Sequence, residues 1–428
     1  MKTIRLITAF TKLTPFQLGV LLFTLAFLVR LAVIVYFRPY HDLGRYELER
    51  TAISLANTGV YGNPYAVPTG PTAHVSPGYT LILATLFHLF GTGIRAEVIK
   101  EILAVSVTSL QIALLPAVAG AIGIRQVAGL IAGLVMALYP ARPLVEIDGD
   151  WETPYMALSL MLVAVLAAQH WRRRDLRIVT AIRHGIYWGI VLLFIGALLP
   201  LFITFVVVEA FWERRRLVKY FQFALIEIVV VAACLTPWII RNYFALGAPV
   251  ITRTNAGIEL RISNNDLAAP DQRENYLHGL FNRYHPLQSP TEAEKVRELG
   301  EVEYNRRALL QAKLWIRTHP TRFFELTLGR IRCFWFYTDP TSRIKTLFCW
   351  LVNVLGFTGL AVALAQQRLE GKILGLIALI YPLPNYLVHV GLRQSYPVEW
   401  LMLLLGISLL ARALTPRSAG EHALAAAH

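Results

Sequence analysis

The chain has 428 residues, of which 56% are hydrophobic and 16% charged, with a mean hydropathy of +0.51. A soluble domain carries roughly a quarter charged residues, so this composition excludes a soluble globular enzyme and points to an all-α polytopic membrane protein. The formal net charge of +14 comes from Arg and Lys clusters flanking apolar runs, as the positive-inside rule expects, and it calls for no nucleic-acid partner.

The first 15 residues are basic, with Lys2, Arg5 and Lys12, and lead into an apolar run at 16–37. No small-residue cleavage site follows, so the segment reads as a start-transfer anchor with a cytoplasmic N-terminus. Further runs near the ~20 residues needed for a crossing lie at 98–121, 125–139, 153–169, 221–240, 345–365, 373–391 and 397–413. The segment 178–211 lies between "WRRRD" (171–175) and "WERRR" (212–216). Both clusters favour the same side, so this segment is expected to cross twice, as two short helices broken near Pro200. The run 76–91 is short for a crossing. Reading it as a juxtamembrane or re-entrant helix places every basic cluster inside. The expectation is about ten crossings, with 38–75, 140–152, 241–343 and 392–396 on the outer side.

Three units follow: a membrane module at 1–240 whose first outer loop is 38–97, an outer helical region at 241–343, and C-terminal membrane helices at 344–428. Within 241–343 a helical period at Val302, Leu309, Leu310, Ala312 and Leu314 predicts a packed helix. Cys234, Cys333 and Cys349 show neither paired nor metal-binding spacing. Arg30 and Glu227 are the notable charges within apolar runs, and a snorkelling role suits Arg30.

The chemistry-bearing residues cluster in the outer segments. "PYHDLGRYELER" places Asp42 just past the first run. Arg45 and Glu49 are four apart and can pair on a helix. A plain N-cap role for Asp42 is the alternative. "EIDGDWETPY" groups Asp148, Asp150 and Glu152 within five residues, on the same expected side. Two acidic loops on one face suggest a base, a metal site, or both. Arg241, with Asn242, closes one run, and Arg393 stands near His389 and Tyr396 in "HVGLRQSYPVEW". Guanidinium groups at a membrane boundary suit lipid phosphates.

Taken in order, these segments resemble the GT-C superfamily of membrane glycosyltransferases, and within it the bacterial aminoarabinose transferase and protein O-mannosyltransferase-like proteins. The resemblance rests on Asp42, Arg45, Tyr46, Gly59, Tyr61 and Pro64, then "SPGYTLILATLFHLFG". It continues through "ALYPARPLVEIDGDWETPYMALSL", "PWIIRNY" and "EVEYNRRALLQAKLWIRTHPTRFFELTLGRIRCFW", covering nearly the whole chain. It implies a GT-C fold and transfer of a sugar from a polyprenyl-phosphate donor to an acceptor hydroxyl, with inversion. Asp42 would be the general base, supported by Asp150 and then Glu152. Arg241, Arg393 and Arg45 would hold the donor phosphate. Tyr46, His74, Tyr79, Asn242, Asn264 and Tyr396 would line the substrate cavity. The resemblance fixes no cofactor and allows a divalent metal (Mg or Mn), held by Asp42 and Asp150. The acceptor would be a glycan, a lipid or a protein, and the location a bacterial inner membrane with its active site on the outer face. A lipid-linked sugar transporter or flippase, or a non-catalytic polyprenyl-lipid-binding protein, are the competing readings. A transporter would place its site near the bilayer midplane.

Overall fold

A computed structural model describes residues 14–41, 44–139 and 142–414. Asp42 and the basic residues Lys2, Arg5 and Lys12 lie outside the described residues. Among the described residues the architecture is all-helical, and six helical stretches are long and apolar enough to cross a membrane: Pro15–Phe37, Ile94–Ile122, Thr153–Arg173, Arg214–Leu246, Arg343–Ala365 and Leu392–Ala413.

In chain order the helices are α1 (Pro15–Phe37), α2 (Glu47–Thr58), α3 (Pro77–Phe90), α4 (Ile94–Ile122), α5 (Gln126–Leu138), α6 (Pro143–Ile147), α7 (Thr153–Arg173), α8 (Ile178–Phe194), α9 (Leu199–Trp212) and α10 (Leu217–Leu246). A polar helical region follows, with α11 (Ala256–Ser263), α12 (Gln272–Leu277), α13 (Leu280–Tyr284), α14 (Pro290–Leu299), α15 (Glu301–Thr318) and α16 (Pro320–Trp335). The chain then returns through α17 (Arg343–Ala365), α18 (Leu369–Ile380), α19 (Leu383–Leu387), α20 (Leu392–Ser395) and α21 (Glu399–Ala413). The expected break within 178–211 falls between α8 and α9, just before Pro200, and the run at 76–91 is the short helix α3.

Local chemistry explains the ends. α1 opens with a capping box, in which Thr14 Oγ1 accepts from the Gln17 amide at 3.2 Å and Gln17 Oε1 accepts from the Thr14 amide at 2.8 Å. α2 has Tyr46 at its N-cap. In the bundle, α1 packs on α4, α4 on α5 and α7, α8 on α10, and α17 on α21. The α17–α21 contact is tight because a Cβ at Gly356 would come within 2.7 Å of the Met402 carbonyl oxygen.

Two expectations are corrected here. Arg30 does not snorkel: it is 1% exposed, pairs with Glu146, and donates to the Met136 and Ala137 carbonyls at 2.7 and 3.2 Å. A buried guanidinium needs such partners. On α15 the buried stripe is Tyr304, Ala308 and Ala312, whereas Leu310 and Leu314 are exposed. Small residues win that face because α11 crosses it closely at Gly257, where an added Cβ would meet the α15 backbone. Tyr65 of the first loop joins Ile258, Ile262, Phe281, Val296 and Leu326 in one hydrophobic cluster, so the first loop and the polar helical region fold together.

Candidate active site

Where the apolar bundle meets the polar helices lies an open cavity of about 890 Å³. Tyr46 and Glu47 at the start of α2 form one wall, and Asp148, Trp151 and Glu152 of the acidic loop form the next. Gly196 and Ala197, at the α8–α9 break, close the bundle side. Arg253, Glu259 and His285 come from the polar region, and His389 and Arg393 from the segment around α19 and α20. The walls are helix ends and loops, where backbone groups and polar side chains can turn inward without breaking a helix.

Arg393 is the cation most open to a ligand. Its guanidinium carbon stands 3.6 Å from the centre of the Trp151 ring, and its buried Nη1 has no hydrogen-bond partner among the described residues. A buried donor without a partner is costly, and an anion in the cavity would satisfy it. Tyr46 packs on the same indole, with ring centres 5.4 Å apart. Glu152 accepts from Arg253 at 2.8 Å, and its second oxygen is buried without a partner among the described residues.

Asp148 faces the cavity where Asp150 was expected to. Burial, and then the neighbouring Asp150 charge, push its carboxyl up to about 7, against the stabilising Asp150 amide, which donates to it at 2.7 Å. Asp150 turns the other way. It binds Lys100 Nζ, which also holds Glu49 at 2.6 Å and Glu97 at 2.5 Å. Burial and the Asp150 charge raise Glu49 to about 7 as well. The oxygens of Glu49, Glu97 and Asp150 lie within 4.8 Å of one another, but the lysine ammonium already supplies their cation. Asp150 thus shares one ammonium with Glu49 and Glu97.

The other expected residues separate by what they touch. Arg45 pairs with Glu49 at 3.3 Å, as its spacing predicts, and with Glu97, and it donates to the Thr92 carbonyl at 2.6 Å. It is thus occupied by protein rather than open to a phosphate. Arg241 donates to the Thr72 and Tyr61 carbonyls at 2.6 and 2.5 Å and lies over the Tyr61 and Trp238 rings. It fastens the first loop to the end of α10 and does not line the cavity. Asn242 is fully buried and donates to the Val250 carbonyl at 2.9 Å. Asn264 accepts from Arg330 at 3.2 Å and donates to the Leu387 carbonyl at 3.0 Å. Tyr79 donates to the Gly149 carbonyl, and Tyr396 is 1% exposed. These four support the walls from behind.

His74 is buried, with Nδ1 against the Tyr65 hydroxyl at 2.9 Å. Its ring meets that of His285, whose Nε2 lies 3.2 Å from Glu47. Burial raises Glu47 and lowers both histidines. Donor atoms of Glu47, His74 and His285 fall within 4.8 Å of one another, so this trio could hold a metal ion. Glu259 and His389 stand 3.9 Å apart further along the wall. Their roles were not visible in sequence, because each partner comes from a different segment.

No protein-family model and no curated protein matches the sequence. Among solved structures, the chain is similar to the archaeal oligosaccharyltransferase AglB from Archaeoglobus fulgidus, in complex with an inhibitory peptide and a dolichol-phosphate. The TM-score is 0.53 at 12% identity, over 94% of this chain and 52% of that one. The chain thus spans about half the length of AglB. The likeness is one of fold, and the chain is a multi-pass, all-α membrane protein.

Proposed function

We propose that the protein is a glycosyltransferase that moves a sugar from a polyprenyl-phosphate donor to an acceptor hydroxyl, on the outer face of a bacterial inner membrane. The observation that carries this reading is the Arg393 guanidinium, whose buried Nη1 has no partner among the described residues, facing a large cavity at the junction of apolar bundle and polar helices. A lipid-linked substrate needs that junction, with its tail among apolar helices and its sugar in water. AglB, of like fold, was solved with a lipid phosphate and a peptide. A cavity built from helix ends suits a transferase better than a transporter, whose site belongs near the bilayer midplane.

In this reading Arg393 grips the donor phosphate. Negative charge grows on that group as the sugar leaves, so a fixed cation beside it lowers the barrier. Asp42 removes the proton from the acceptor hydroxyl, whose oxygen then attacks the anomeric carbon. The bond from that carbon to the phosphate oxygen breaks, and polyprenyl phosphate departs with configuration inverted. Asp148 and Glu152 orient the acceptor through hydrogen bonds. Glu47, His74 and His285 are the residues that would hold a divalent metal, which would polarise substrate oxygens near Arg393.

The test is transfer by purified protein in lipid, offered a panel of polyprenyl-phosphate sugars and compared with Asp42→Asn. Transfer that falls by a factor of roughly 10²–10⁴ in the variant, as for loss of a general base, supports both the class and the base. Tight donor binding without turnover would instead support a lipid-binding protein.

A further inference from the structure

The end of the bundle opposite this cavity carries a second open pocket, of about 420 Å³. It lies where α7 ends and where α8 and α10 begin. Its walls hold Arg173, Arg174, Arg177, Arg216 and Lys219, with Asp175 as the one carboxylate among them. That carboxylate is already engaged: Arg177 donates to its two oxygens at 2.9 and 2.8 Å. Glu213, beside the pocket, accepts from Arg216 at 2.7 Å and lies 3.7 Å from Arg174. Arg173 and Lys219 have no such partner among the described residues. The pocket therefore carries uncompensated positive charge.

Two further features point to the kind of anion that fits. Neither α8 nor α10 has a side-chain cap at its start. The first-turn amides and dipole of α8 add to the positive potential at the pocket, whereas α10 continues directly from a 3-10 turn at Arg214–Arg216. Directly beyond the basic residues, the same two helices expose Ile178, Val179, Val218 and Phe221, at 62%, 76%, 76% and 68%. A soluble phosphate would gain nothing from that apolar rim. A molecule with an anionic head and hydrocarbon tails would use both surfaces.

We propose that this pocket binds the phosphate headgroup of an anionic bilayer phospholipid, with the acyl chains lying along the first turns of α8 and α10. Arg173 and Lys219 are the principal charges, and Arg174 and Arg216 frame the site. The loop before α8 and the loop before α10 are thereby tied together by a lipid at the end of the bundle remote from the cavity.

Native mass spectrometry of the full chain, released from neutral detergent after incubation with defined lipids, tests this. Phosphatidylglycerol is expected to be retained and phosphatidylcholine lost. Arg173→Gln/Lys219→Gln should weaken phosphatidylglycerol retention roughly thirty-fold, from the worth of each basic residue near a membrane surface. Arg214→Gln/Arg215→Gln removes the same charge just outside the pocket and should change retention less than threefold. Three results would overturn the proposal: equal losses in the two double variants, equal retention of phosphatidylcholine, or displacement of phosphatidylglycerol by polyprenyl phosphate at equal concentration. The last would assign the pocket to a lipid-linked sugar carrier. All four substituted side chains are exposed, so melting temperatures should match wild type. If the first double variant melts early, Lys219→Gln alone, expected to lose roughly fivefold, takes its place.

Discussion

Arg241 and Arg393 carry the same guanidinium and both follow apolar runs, yet their surroundings separate them. Arg241 spends its donors on the Thr72 and Tyr61 carbonyls, whereas Arg393 keeps a buried nitrogen without a partner. Arg393→Gln is therefore expected to raise the donor KM and lower transfer at least tenfold, in steady-state kinetics. Arg241→Gln should leave the donor KM within about twofold and lower the melting temperature, by an amount matching roughly 2–3 kcal/mol for lost charge-assisted hydrogen bonds. Asp148 gives a second test at this scale. Its carboxyl is raised to about 7 in the folded state, above the ordinary value near 4. Between these limits the folded chain holds a proton that the unfolded chain has released, so this group's contribution to stability falls as pH rises from about 4 to 7. Asp148→Asn removes that dependence. Thermal melts should show wild type losing ground to the variant across this interval, and parallel curves would discard the assignment.

At the scale of elements, the break between α8 and α9 is the part of the bundle that admits the cavity. Gly196 lies there against Thr252, and an added Cβ would come within 2.5 Å of that side chain. Gly196→Val should displace Thr252 and, one residue on, Arg253 from its contact with Glu152. The expected cost is about 1–3 kcal/mol for overpacking, with transfer reduced more than donor binding, measured by melting and by separate binding and turnover assays. Elements were the level most open to sequence reading, because a crossing helix writes its length into an apolar run and a break into Pro200. The pair Arg45–Glu49 was legible for the same reason, being local. Lys100 was only partly so: Glu97 stands three residues before it on α4, but Glu49 and Asp150 come from α2 and the acidic loop, and nothing in its neighbourhood announces those two. The α15 stripe misled because leucine counts as core in any periodic pattern, while close helix crossing selects Ala308 and Ala312. Asp148 and Asp150 stand two apart in one loop, and only the position of Lys100 decides which of them faces the cavity.

For the whole molecule, the first loop, the acidic loop and the polar helices are one structure resting on the bundle. Glu301 shows this: it accepts from the Ala73 amide at 2.7 Å, and from Thr72 and Thr254, so two first-loop residues more than two hundred positions away share one carboxylate with Thr254. Lys100 makes the corresponding link to the membrane. It sits on α4, a helix of 29 residues and so about 43 Å long at 1.5 Å per residue. From Lys100 to Ile122 the helix measures about 33 Å, close to the roughly 30 Å of a bilayer's hydrocarbon core. A thinner or thicker bilayer changes the tilt of such a helix, and every degree of tilt reaches Glu49 and Asp150 through the ammonium they share. Tilting of α4 is thus expected to carry the acidic loop, and with it one wall of the cavity, along with Lys100. Turnover in vesicles of graded acyl-chain length should peak at one length and fall severalfold on either side, while a flat profile would show the wall to move independently of α4. The protein would then work as a gauge of the membrane in which it sits, best matched where the bilayer fits the distance from Lys100 to the far end of its helix.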